Sequence, residues 1–224
     1  MIAPADRELL SPAEVEAAVG PEWRVLLRAL HARFRTGDFA TGARLVERIA
    51  AVADEHDHHP DLDLRYPTLD VRLSSHDVGG LTRRDVRLAQ RIGELAAELG
   101  AVAEPAAPTV VELALDTADE AAVRPFWVAL YGAGAVVSEG EVRDPAGRLP
   151  TLWFQSTTPH DPPRQRFHLD VWVPADRAEE RVAAVLAAGG RLVADDGAPC
   201  FGVPAAAGGT GGCVCPWRGG AAPP

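Results

Sequence analysis

Residues 101–108 read AVAEPAAP, and on each side of them lies a separate run of helix and strand patterns. Alanine- and proline-rich composition of this kind suits a connector rather than the interior of a helix or strand. A chain of 224 residues exceeds one average domain and accommodates two of about 100 residues each. We therefore expect a first domain over residues 1–100, a linker over 101–108 and a second domain over 109–217. The closing RGGAAPP, residues 218–224, is expected to be a disordered tail.

The first half alternates short strands with amphipathic helices. Ser11-Pro12-Ala13-Glu14 supplies a capping serine, a proline at the first helical position and a glutamate at the third, which predicts a helix to about Val19, ended by Gly20-Pro21. Two short strands are expected between Trp23 and Phe39, with a turn at Thr36-Gly37-Asp38. Leu45, Val46, Ile49, Val52 and Ala53 recur at helical spacing and predict a helix over 40–55. Leu69, Val71 and Leu73 alternate with Asp70, Arg72 and Ser74, the pattern of a half-buried strand. Thr82 and Asp85 make a capping box, and Val86, Leu88, Ala89, Ile92, Leu95, Ala96 and Leu99 form the apolar stripe of a helix stopped by Gly100. The fold class is α+β, an antiparallel sheet with helices on one face.

Charge and residue usage remove several function classes. A formal charge of −10 repels nucleic acid and anionic membranes, so neither is expected as a partner. Every basic side chain is an arginine and lysine is absent, which excludes Schiff-base chemistry and a Walker-type phosphate loop. No apolar run approaches the roughly 20 residues of a membrane span, and the N-terminus lacks the pattern of a signal peptide. A cytoplasmic protein is expected. The three cysteines, Cys200, Cys213 and Cys215, are too few and too clustered for a disulfide framework, so reduced thiols are the simpler expectation.

Four of the seven histidines fall within residues 54–76, DEHDHHPDLDLRYPTLDVRLSSH. His58 and His59 are adjacent and cannot both point inward from one regular element, so Pro60 is expected to bend the chain and present both imidazoles at a loop mouth. His76 follows the predicted strand and can face them. Imidazole donates or accepts a proton near neutrality, and facing imidazoles suit proton transfer between two positions of one substrate. His56 is expected in solvent. The alternatives are a metal site, for which adjacent histidines chelate awkwardly, and simple helix termination. Asp85 would be justified by capping alone, whereas Asp54 and Asp57 sit at a helix C-terminus, where an acid opposes the dipole.

DEHDHHP, then Tyr66, an alternating strand ending in SSH, then GGLTRRD, resembles the signature of pterin-4a-carbinolamine dehydratases. Trp23 and FRTGDF upstream resemble the family's Trp and Phe-x-Phe-x-Asp-Phe. The resemblance spans about Leu9 to Leu99. It implies that His58, His59 and His76 are the active-site imidazoles, with Asp54, Asp57, Pro60, Arg84 and Asp85 in support. It implies a pterin held in a groove between sheet and helix, with histidine protonating the 4a-hydroxyl while a proton leaves N5. Quinonoid dihydropterin is the implied product, with no metal or organic cofactor, and a homo-oligomer is expected. Four positions depart from the family pattern: Asp54 for glutamate, Pro67 for asparagine, Thr36 for the second phenylalanine and Ser75 for threonine.

Beyond the linker the predicted order is strand (110–115), helix (120–130), strands near 135–142 and 151–155, then strand (166–173), helix (177–188) and strand (191–194), which suggests an internal duplication. VRPFWVALYG, DPAGRLPTLWFQ and RFHLDVWVP resemble the glyoxalase/bleomycin-resistance/dioxygenase superfamily, the vicinal-oxygen-chelate fold of paired βαβββ modules. In metal-using members the matching ligand positions would be Glu112, Gln155 and His168, but the terminal glutamate is replaced by glycine around Gly211, so no metal is expected. Trp153, Phe154 and Trp172 are expected in sheet packing, Cys213 and Cys215 on one face of a strand, and GGTGG in a turn. A dehydratase with an appended binding module is the leading expectation. A non-catalytic binding or assembly protein on the same fold is the alternative, as is a lyase or dioxygenase activity in the second domain.

Overall fold

A computed structural model describes residues 4–131, 134–138, 140–145, 147–159, 167–187, 191–192, 204–205 and 212–216. The chain separates into two compact units on either side of Pro108 and Thr109.

In the first unit, α1 (Pro12–Ala18) begins as expected, with Ser11 and Glu14 closing a reciprocal capping box. The strands β1 (Arg24–Leu26) and β2 (Ala29–Arg35) follow. Next come α2 (Phe39–His56), capped by Asp38, and the hairpin of β3 (Asp61–Arg65) and β4 (Thr68–Leu73). The unit continues with α3 (Arg83–Glu98) and the two-residue β5 (Val102–Ala103). The antiparallel sheet runs β1-β2-β4-β3, with β5 also paired to β2. β3 was not foreseen: Leu62 and Leu64 are only half-buried on this edge strand, so its alternation is short and weak. The segment read as a linker contributes β5, and Glu104 accepts a hydrogen bond from Arg35 at 2.7 Å.

The strand period of two divides this sheet into unlike faces. Leu30, Ala32 and Phe34 of β2 with Leu69, Val71 and Leu73 of β4 are buried against Leu45 and Ile49 of α2 and Leu88, Ile92 and Leu95 of α3. Trp23 is fixed there by its indole N–H, which donates to the Ala89 carbonyl at 3.1 Å. Gly42 lets β3 approach α2, because a Cβ there would lie 2.5 Å from Leu64 Cδ1. The opposite face carries charge: Arg33 grips Asp70 through two bonds of 2.7 and 2.6 Å, and Arg72 meets Asp61 at 2.7 Å.

The second unit repeats a βαβββ order. β6 (Val110–Thr117), α4 (Glu120–Tyr131), β7 (Val136–Ser138), β8 (Glu141–Arg143) and β9 (Thr151–Ser156) make the first round. β10 (Phe167–Val173), α5 (Ala178–Ala187), β11 (Arg191–Leu192), β12 (Pro204–Ala205) and β13 (Gly212–Pro216) make the second. The main sheet runs β13-β10-β6-β9-β8-β7, and β11 pairs with β12 apart from it. β6 and β10 are antiparallel neighbours, each flanked by the parallel last strand of its own round, as an internal duplication requires. The single strand expected over 135–142 is two, β7 and β8, reversed at Gly140, whose φ of 71° lies in the left-handed region. One face packs Leu115, Val142, Leu152 and Phe154 against Val123, Trp127 and Val128 of α4.

Cys215 is buried and disulfide-bonded, which corrects the expectation of reduced thiols at that position. The proposed tail over 218–224 and residues 208–211 of the GGTGG turn lie outside the described residues, while its last glycine, Gly212, begins β13.

Candidate active site

The site is built on the Asp85 carboxylate. Asp85 stands at the third position of α3, and its Oδ2 accepts the Thr82 backbone N–H at 2.8 Å while the Thr82 side chain caps the helix in return. The same oxygen accepts the Ser75 hydroxyl at 2.7 Å. Its other oxygen, Oδ1, lies 2.7 Å from His58 Nε2. The side chain of Asp85 is 0% exposed and that of His58 5%. One buried carboxylate therefore joins the cap of α3, the end of the strand that leads to His76, and His58.

His58 thus departs from its expected place at an open loop mouth. The bend is made three residues earlier than Pro60, at Asp57, which closes α2 in the left-handed conformation with φ 48°. Aspartate tolerates that region better than most residues. The His58 N–H then bonds the Ala53 carbonyl at 3.1 Å, and its ring turns inward to Asp85. When neutral His58 donates from Nε2 to the carboxylate, Nδ1 is left as the acceptor.

The other imidazoles are placed differently. His59 is exposed and its Nε2 lies 2.9 Å from Asp54 Oδ1, itself in solvent. His76 is exposed on the turn that follows β4. Asp57 is exposed, and Pro60 is half-buried between the histidine pair and β3. His56 is in solvent as expected, with Nδ1 2.9 Å from the Val52 carbonyl. Arg84, 8% exposed, donates to Asp77 Oδ1 at 2.6 Å. That hydrogen bond holds the Asp77 carboxyl below the usual range of an aspartate.

Sequence reasoning missed Ser75, Thr82 and Asp77 as parts of this constellation. Ser75 was noted as a departure, yet it retains the hydroxyl that threonine would offer, and that hydroxyl also lies 2.9 Å from Thr82 Oγ1. Asp77 carried a signal: an acid beside His76, separated by a glycine pair from two arginines. Two other departures meet one another, since the Thr36 hydroxyl lies 3.0 Å from the Pro67 carbonyl it donates to, next to the cis Tyr66–Pro67 bond. They occupy the far end of the β3–β4 hairpin, about 16 Å along a five-residue strand from the histidines.

The model of the family described as pterin 4 alpha carbinolamine dehydratase matches residues 8–95. A protein of Nocardia farcinica named "Putative pterin-4-alpha-carbinolamine dehydratase" is 38% identical over 91 residues, which are 40% of this chain and 96% of that protein. The chain belongs to the pterin-4a-carbinolamine dehydratase family. Relatives bearing the same name in Thermosynechococcus vestitus and Afipia carboxidovorans are 38% identical over 96% of their length and 42% identical over 82%. A solved transcriptional coactivator/pterin dehydratase from Brucella melitensis aligns at 26% identity over 40% of this chain and 99% of that one, with a TM-score of 0.38. The model described as a glyoxalase-like domain matches residues 112–215, so the second unit is similar to that family.

In that second domain, strand register collects Glu112 and Asp116 of β6, Trp153 and Gln155 of β9, and His168, Asp170 and Trp172 of β10 on the face opposite the apolar core. Trp153 donates to Asp170 at 2.8 Å and Trp172 to Glu112 at 2.9 Å. Burial pushes the Asp170 carboxyl up. His168 lies 3.7 Å from Asp116 and 3.5 Å from Asp170, longer than ordinary hydrogen bonds. Among the described residues no three His, Cys, Asp or Glu side chains are arranged to hold a metal ion. Glu112 accepts the Trp172 indole N–H through Oε2, and Gly211 lies outside the described residues.

Proposed function

We propose that the first domain is a 4a-hydroxytetrahydropterin dehydratase, a hydro-lyase working by histidine acid–base catalysis. The observation that carries this reading is the Asp85 carboxylate, which holds His58 through one oxygen and, through Ser75, the segment bearing His76 through the other. Two imidazoles from distant parts of the sequence are thereby tied to one rigid helix cap, as a proton-transfer pair requires.

In the proposed reaction one imidazolium gives its proton to the 4a-hydroxyl, the C4a–O bond breaks and water leaves. A neutral imidazole takes the proton from N5, whose electron pair forms the C4a=N5 double bond of quinonoid dihydropterin. No electron acceptor is needed. His58 and His76 are the proton carriers in this reading; His59, beside Asp54, orients and hydrogen-bonds the pterin, and Asp85 fixes the His58 tautomer. Asp57, Pro60 and Arg84 support the loops. A cytoplasmic location and a homo-oligomer accord with this activity, and among the described residues no helix is long and apolar enough to cross a membrane.

The test is the dehydration rate of synthetic 4a-hydroxytetrahydropterin, corrected for its spontaneous decay. His58→Ala and His76→Ala should each lower the rate by about 10² to 10⁴, and the double variant should lose less than the product of the singles. Near-normal rates in both single variants would overturn the reading.

A further inference from the structure

We infer that Asp77, gripped by Arg84, is a positioning residue that sets where the His76 imidazole points. The inference rests on the dehydratase reading above and deepens it.

His76 sits on a turn closed by an isolated bridge between Ser75 and Gly80. The backbone bonds that close it are made by Ser75, Val78, Gly79 and Gly80: Ser75 N–H donates to Gly80 O at 2.9 Å, and the N–H groups of Val78 and Gly79 donate to Ser75 O at 3.1 and 2.9 Å. Gly79 supplies the left-handed residue, φ 70°. These bonds fix the base of the turn. The residues between, His76 and Asp77, are exposed, and an exposed loop histidine with no tether would sample several rotamers.

The Asp77 side chain is that tether. Its Oδ1 accepts from Arg84 Nη2 at 2.6 Å, and Arg84 is buried at the start of α3, one residue before the Asp85 that holds His58. Arg84 Nε also lies 3.4 Å from Thr82 Oγ1, so the guanidinium is itself referenced to the helix cap. The chain of contacts runs from His58 through Asp85 to α3, and from α3 through Arg84 and Asp77 to the residue adjoining His76. Both imidazoles thus take their position from the same helical turn. Because the Arg84 hydrogen bond keeps Asp77 ionised below its ordinary range, the tether is intact throughout the neutral region. Exposed Arg7 adds a weaker contact, 3.8 Å from Asp77 Oδ2.

The experiment compares Asp77→Ala and Asp77→Glu, alone and on a His76→Ala background, in the full-length protein. Asp77→Ala should lower kcat by about 10- to 100-fold, the scale of a small misplacement of a catalytic group, with KM little changed. Asp77→Glu should recover most of it. On the His76→Ala background Asp77→Ala should cost nothing further, since it acts only through that ring. Amide hydrogen exchange at residues 76–79 should quicken in Asp77→Ala while α3 stays protected. An equal loss on the His76→Ala background, or unchanged exchange at 76–79, overturns the inference. If the wild-type protein itself dehydrates no faster than solution, the dehydratase reading falls separately, and the exchange measurement still decides whether Asp77 holds the turn.

Discussion

His58 and His168 each stand beside carboxylates, and the two domains treat them in opposite ways. His58 meets Asp85 at 2.7 Å with both side chains out of water, and the second carboxylate oxygen is satisfied by Ser75 and the Thr82 backbone. His168 lies between Asp116 and Asp170 at 3.7 and 3.5 Å, with its side chain 20% exposed. A buried polar group without its partner is costly, so the first arrangement is determined by its surroundings. The second is a polar sheet face whose groups are drawn together by strand register and not locked by short bonds to the imidazole. Family resemblance thus coincides with preorganisation in the first domain, and the second domain keeps the fold with a looser polar face.

The largest expected effect sharpens this contrast. His58→Ala strands a buried carboxylate oxygen, and breaking a buried pair by removing one partner costs roughly 3 to 5 kcal/mol. His168→Ala should change the stability of its own domain by less than about 1 kcal/mol, the scale of a partly exposed contact. His76→Ala, in solvent, should fall within about 0.5 kcal/mol of wild type. Urea titration with exchange protection read separately for α3 and β10 measures all three. Equal losses at His58 and His168 would erase the distinction between the domains.

A second test uses acid. His31 lies half-buried on the charged face of the first sheet, where burial, and next the Arg72 charge, push its imidazole down to about 4 from 6.5. Below pH 6.5 the unfolded chain binds a proton there that the folded chain refuses, so stability falls as pH drops from 6.5 to about 4 and then levels off. A depression of that size corresponds to about 3 kcal/mol for the first domain. Asp77, whose pKa is lowered, contributes in a separate window: its stabilisation is full above 3.8 and is lost as pH falls through its lower folded value. His31→Gln should therefore flatten the stability profile between pH 6.5 and 4 without touching the more acidic limb. A profile unchanged by the substitution would show that the acid response lies elsewhere.

What the sequence displayed and what it hid follow from locality. The capping boxes of α1 and α3 were legible because each is written within four residues, Ser11 to Glu14 and Thr82 to Asp85. The stripes of α2 and α3 and the alternation of β4 were legible because core-facing positions repeat at the element's own period. β3 was not, since an edge strand with half-buried leucines lacks a contrasting period. The inward turn of His58 was hidden because it depends on Asp57 adopting a left-handed conformation and on an acid 27 residues away. Pairing across such distances leaves no local pattern. Arg84 was named from the family signature alone; its partner Asp77 emerged only once the turn of 75–80 set them face to face.

The smallest effect bears on where one domain stops. β5 pairs Val102 and Ala103 with Arg35 and Phe34 of β2, Glu104 N–H donates to the Arg33 carbonyl at 2.8 Å, and Arg35 meets the Glu104 side chain. A fragment of residues 1–108 keeps all of these, whereas one ending at Gly100 loses them and frees the edge of β2 on that side. The ion pair, exposed on its Arg35 side and half-buried at Glu104, is worth about 1 kcal/mol, and a net backbone hydrogen bond contributes on the order of 1 kcal/mol. The shorter fragment should therefore be less stable by about 1 to 2 kcal/mol, while the Asp85 constellation, which contacts none of these residues, is unchanged. Under the proposed function both fragments should dehydrate the synthetic carbinolamine within about twofold of the full-length rate, a margin that allows for small stability changes away from the site. If the 1–108 fragment is folded but inactive, the second domain contributes to the site, and the contrast between a preorganised first domain and a dispensable second one fails.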